Sequence, residues 1–90
     1  MVAIRKYMLK AAGYEVRCDR DKQEIYILDK QENIIATILR QDEKNEVVKW
    51  DNNSFNCERA IVDISRGRLL IIAEKGVKTK NPYIECYIHL

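Results

Sequence analysis

Apolar and polar positions alternate most clearly from Glu24 to Arg40, E-I-Y-I-L-D-K-Q-E-N-I-I-A-T-I-L-R. Two β-branched apolar runs flank a polar D-K-Q-E-N segment there, which is the pattern of a β-hairpin. Ile25 and Ile27 share one face at period two, and Ile34, Ala36 and Ile38 share another. Asn33 is the residue expected to take the left-handed conformation that closes the loop. Tyr26, Leu28, Ile35 and Leu39 make the opposite faces apolar as well, so the pair belongs at the centre of a sheet.

The same reading extends in both directions. Over Val2–Ala12 the period is helical: Ile4, Met8 and Ala11/Ala12 fall on one stripe, with Arg5, Lys6 and Lys10 off it. Gly13 stands where a left-handed C-terminal cap belongs. Tyr14–Cys18 then alternates as a first strand, and Asp19–Gln23 turns the chain into the hairpin. After the polar Q-D-E-K-N segment, Glu46–Asp51 alternates again, which makes a four-strand antiparallel meander the simplest product.

Asn52, Asn53 and Ser54 are each competent helix N-caps. From Phe55 to Arg66, Cys57, Ala60, Ile61 and Ile64 form a helical stripe, Arg59 and Asp63 pair at i, i+4, and Gly67 stops the helix. The alternative is a strand over Ala60–Ser65 that folds back through Arg66-Gly67 onto Leu69–Ala73. The helix is favoured because stripe, cap and stop agree. Leu69–Ala73 is a continuous apolar run, expected as a strand buried on both faces. Tyr83–Leu90 alternates, with Ile84, Cys86, Ile88 and Leu90 on one face and Tyr83, Glu85, Tyr87 and His89 on the other.

The fold expected is therefore α+β: an antiparallel sheet, made of a four-strand meander plus a C-terminal hairpin, packed against two helices. Its core should include Ile4, Met8, Val16, Ile27, Ile38, Trp50, Ile61, Ile64, Ile71 and Ile88. Ninety residues, 47% hydrophobic and 33% charged, fit one compact domain spanning 1–90. The formal charge of +2 is too small to imply nucleic acid by itself. No apolar run reaches the roughly 20 residues of a membrane span. The first residues lack the apolar core of a signal peptide. Cys18, Cys57 and Cys86 are odd in number and form no C-x-x-C pair. They read as reduced, half-buried thiols, and the expected compartment is the cytoplasm.

Catalytic groupings are not recognised. The single histidine, His89, excludes histidine-rich metal sites, and the chain has no glycine-rich phosphate loop, G-x-S-x-G or zinc half-site. No enzyme, metal or cofactor is expected. Two surfaces remain. Tyr83, Glu85, Tyr87 and His89 form the outer row of an alternating strand, rich in the residues that protein interfaces favour. At a sheet edge that strand would accept a partner or a second copy, giving a weak homodimer. Alternatively, Lys75, Lys78 and Lys80, with Arg66 and Arg68 at the other end of the preceding strand, set a basic loop beside exposed tyrosines. That combination suits single-stranded nucleic acid.

Through the segments A-A-G-Y-E-V, E-I-Y-I-L-D and N-I-I-A-T-I, the first half of the chain, residues 1–39, resembles small accessory proteins of phages and mobile elements. The resemblance implies a stoichiometric inhibitor or adaptor that works by occluding a partner's surface, and it transfers no site residues. The functional expectation is a non-catalytic protein-binding module, with nucleic-acid binding as the alternative.

Overall fold

The computed structural model describes residues 2–42, 45–74 and 87–88, with residues 2, 3, 87 and 88 described by their backbone. In chain order the elements are β1 (Val2–Ile4), α1 (Lys6–Ala11), β2 (Glu15–Asp19), β3 (Glu24–Leu28), β4 (Ile34–Asp42), β5 (Asn45–Trp50), β6 (Asn53–Cys57), β7 (Arg59–Ser65), β8 (Arg68–Glu74) and β9 (Tyr87–Ile88). They form a five-stranded sheet in the order β2-β3-β4-β5-β6 and a four-stranded sheet in the order β8-β7-β1-β9.

The five-stranded sheet is an antiparallel meander, and its turns follow from the residues that make them. Asp29 closes the β3–β4 loop: its carboxylate accepts the backbone N–H of Gln31 and of Asn33, both at 2.9 Å. Glu32, not Asn33, takes the left-handed conformation there, at φ 64°. Asn33 contributes instead through its side-chain amide, which donates to Asp29 at 3.3 Å. Trp50 pairs with Asn53 across a two-residue loop in which Asp51 and Asn52 both have positive φ. That is the I′ geometry that Asp and Asn tolerate best after glycine. The supposed N-cap segment is thus a hairpin turn, and the meander gains a fifth strand.

Neither expected helix has its expected form. The stretch from Val2 to Ala12 divides into a strand and a helix of six residues. α1 ends as its sequence predicts: the Gly13 amide (φ 93°) donates to Lys10 and the Tyr14 amide to Leu9, the two bonds of a Schellman cap. Residues 53–57 and 59–65 are extended rather than helical, so among the described residues two β-sheets and one short helix replace the α+β fold with two helices. Ile61, Val62 and Ile64 are β-branched and pack better on a pleated surface than in a helical turn. Ser65 and Arg68 pair across Arg66 and Gly67, both at positive φ, which is the tight hairpin that the alternative reading described.

The C-terminal hairpin is also corrected. β9 pairs with β1, antiparallel, and not with β8. β1 lies between β9 and β7 and runs parallel to β7, so this sheet is mixed. The chain passes between the sheets at Glu58, whose amide donates to the Glu74 carbonyl at 2.8 Å.

Both sheets contribute to one apolar cluster: Ile4 and Val62 from one, Ile25, Ile27, Ile38 and Val48 from the other, with Leu9 of α1 between them. Leu9 takes the buried place expected for Met8. Ile4, Ile27, Ile38 and Ile61 are buried as expected, while Val16, Trp50, Ile64 and Ile71 are partly buried against the cluster. Cys57 is buried, but Cys18 is exposed and not a core residue. Among the described residues no helix is long and apolar enough to cross a membrane.

Candidate functional site

Among the described residues the two sheets have four edges, and the sequence determines what each can accept. β2, one edge of the five-stranded sheet, carries Glu15, Arg17 and Asp19 on one face. Arg17 bonds Glu15 at 3.1 Å and Glu32 at 3.4 Å, and the hydrogen bond to Glu15 raises its pKa above the ordinary value. Charges of this kind blunt an edge against further pairing. β6, the other edge, is N-S-F-N-C, polar apart from the exposed Phe55 and the buried Cys57. β9 is described over two residues.

β8 is different. Among the described residues it is a seven-residue edge strand, R-L-L-I-I-A-E, charged at its two ends and apolar between them. Leu69 and Ile71 lean on the core, whereas Leu70 and Ile72 are 39% and 40% exposed. The run expected to be buried on both faces is therefore covered on one face only. Its backbone phase follows from the hairpin. Ser65 and Arg68 close a two-residue turn, so Arg68, Leu70, Ile72 and Glu74 direct their N–H and C=O groups at β7. The other phase of β7 agrees: the amides of Ala60 and Ile64 go to the carboxylates of Glu46 (2.9 Å) and Asp63 (2.8 Å), not to β8. Leu69, Ile71 and Ala73 consequently turn their backbone groups away from β7, to the outer edge of the strand.

Of the residues singled out in the sequence, Arg66 lies in the β7–β8 turn and Arg68 opens β8, both exposed. Tyr87 is placed by its backbone, opposite Ala3 of β1. Tyr83, Glu85 and His89, and Lys75, Lys78 and Lys80, lie outside the described residues. The apolar edge formed by Leu70 and Ile72 was not among the expected sites. Its signal was legible as Arg68 and Glu74 bracketing five apolar residues, a strand with charge at the ends and none within.

The described residues also form concave surfaces. An open cleft of about 550 Å³ lies between the start of β4 and the β5–β6 turn, lined by Ile34, Thr37, Lys49, Trp50 and the polar residues Asp51–Ser54. Asp51–Ser54 are exposed turn residues, with no buried polar group among them. A second groove of about 400 Å³ is lined by Lys6, Lys10, Tyr14, Glu15 and Val16. Among the described residues no three His, Cys, Asp or Glu side chains gather as a metal cage.

No family model matches this chain, and no curated protein or solved structure matches it either.

Proposed function

We propose that this chain is a non-catalytic protein-binding module that takes up an extended segment of another polypeptide along β8. The observation that carries the reading is the apolar strand at the sheet edge among the described residues, with Leu70 and Ile72 exposed and the backbone groups of Leu69, Ile71 and Ala73 turned away from β7. Strand addition draws affinity from main-chain hydrogen bonds and specificity from the alternate side chains. Such a module acts stoichiometrically, as an inhibitor or adaptor. We place the protein in the cytoplasm on its cysteine pattern, three widely spaced residues in the sequence with no C-x-x-C pair.

The test is a photoreactive amino acid in place of Ile72 in the full chain, expressed in its host. The expected result is a discrete cross-linked polypeptide that disappears when Ile71→Pro is added. Proline there removes an N–H directed at the open edge and leaves the ladder to β7 intact. A cross-link that survives Ile71→Pro in a protein that still shows its native circular dichroism overturns strand addition.

Nucleic acid is the second reading, favoured by the groove in which Lys6 and Lys10 flank Tyr14 and by the exposed Arg66 and Arg68 at the β7–β8 hairpin. Phosphate contacts of that kind weaken steeply with salt. Lys6→Ala with Lys10→Ala should flatten the salt dependence of oligonucleotide binding, measured by fluorescence anisotropy. Absence of binding to single- and double-stranded oligonucleotides at low salt ends this reading.

A further inference from the structure

We propose that β8 takes a second copy of this chain, the two strands pairing antiparallel about a two-fold axis at Ile71. This rests on the reading of β8 as the binding strand and names its occupant. Antiparallel pairing of a strand with itself is isologous, so the sequence must complement its own reversal. R-L-L-I-I-A-E does so in one register. Ile71 faces Ile71 of the second copy, Leu70 faces Ile72, Leu69 faces Ala73, and Arg68 faces Glu74.

Three independent features agree on that register. The first is hydrogen-bond phase. Leu69, Ile71 and Ala73 carry the outward backbone groups. With the axis at Ile71 they meet only one another across the interface, so each outward N–H finds a C=O. The second is the solvent face. Arg68, Leu70, Ile72 and Glu74 lie on one face, so the exposed apolar pair of one copy packs beside that of the other with an ion pair at each end. The third is charge. Glu74 accepts Arg59 through Oε2 at 2.8 Å, which leaves Oε1 to receive Arg68 of the second copy. A register shifted by two residues places Arg68 opposite Ile72 and loses both ion pairs. The product is one continuous eight-stranded sheet, built from two copies of the four-stranded one.

A single strand pair buries less than the roughly 1,200 Å² of a standard interface, so the dimer forms with rising concentration rather than as an obligate unit. Sedimentation equilibrium of the full chain across micromolar to millimolar concentration reads it directly. Arg68→Glu sets glutamate against Glu74, and Glu74→Lys sets lysine against Arg68; each variant alone should be monomeric. Mixed together they restore opposite charge at both ends, and the mixture should dimerise again. Ile72→Lys, at a position 40% exposed in the single copy, should also abolish the dimer while keeping the native circular dichroism. A wild type that stays monomeric throughout, or a dimer that persists in Arg68→Glu, overturns the proposal. The cross-link at residue 72 to a different polypeptide stays a separate measurement, so failure of the dimer and failure of strand addition are told apart.

Discussion

Individual polar side chains hold the turns and the passage between sheets. Asp29 accepts the amides of Gln31 and Asn33 and the side chain of Asn33, and these bonds, led by those from Asn33, hold its pKa below the ordinary value. A carboxylate depressed in the folded state stabilises fully above its unfolded pKa, about 3.9. The contribution is lost as pH falls through the lower folded value. The urea midpoint of the wild type should therefore exceed that of Asp29→Asn at neutral pH, and the gap should close as pH falls below about 4. A gap that is constant over that range removes the Asp29 carboxylate from the loop's stability. Glu46 works in the interior: it is 1% exposed and accepts the Ala60 amide through Oε1 at 2.9 Å. Glu46→Ala strands that amide at the start of β7 and should lower unfolding free energy by about 2 kcal/mol. Glu46→Gln, which keeps an oxygen for Ala60, should lose less. Equal losses in urea titrations would mean that the bond to Ala60 is not what Glu46 provides.

At the level of elements, the hairpins follow from turn chemistry more than from hydropathy. Gly67 stands at φ 75° with nothing within 4 Å of where a Cβ would sit, so its replacement meets backbone strain and no clash. Gly67→Ala should cost about 1 kcal/mol in thermal or urea unfolding, and Gly67→Asn less. No measurable loss would show that the β7–β8 turn tolerates another geometry. The same turn explains what the sequence discloses about this region. Cys57, Ala60, Ile61 and Ile64 satisfy a helical stripe, while Ala60, Val62 and Ile64 satisfy a strand face equally well. Periodicity alone does not separate the two in so short a segment. The discriminating residues were Arg66-Gly67 and Asp51-Asn52, whose left-handed conformations make hairpins at both ends of the β6–β7 stretch. Where the hydropathy pattern and the turns agreed, from Tyr14 to Trp50, the four strands of the meander stand where they were expected. At the N-terminus Gly13 was legible as a cap, but Val2–Ile4 carries too few residues to declare itself a strand without its neighbours.

The apolar run of β8 was legible, but its place at the edge was not, for a reason that belongs to the whole molecule. Whether β8 is interior or edge depends on what lies beside it, and pairing it with the C-terminal strand would have made it interior. In the structure β1 takes that strand instead and sets it on the far side of β7, which leaves β8 at the sheet edge among the described residues. This insertion also governs how the fold forms. Every strand pair of the meander joins neighbours in sequence, whereas Ala3 pairs with Ile61 across nearly the entire five-stranded sheet. Closing so long a loop costs entropy before any contact returns it, so local hairpins come first and β1 docks late. Ile4 is 1% exposed, and Ile4→Ala should lower stability by about 2–4 kcal/mol. Because its contacts form after the barrier, that loss should appear mainly as faster unfolding, with the folding rate nearly unchanged. Ile38, fully buried at the centre of the meander, should behave oppositely, with Ile38→Ala slowing folding. Stopped-flow chevrons of the two variants decide the order. If Ile4→Ala slows folding as much as Ile38→Ala does, β1 is already docked on β7 in the transition state, and the four-stranded sheet forms together with the meander rather than after it.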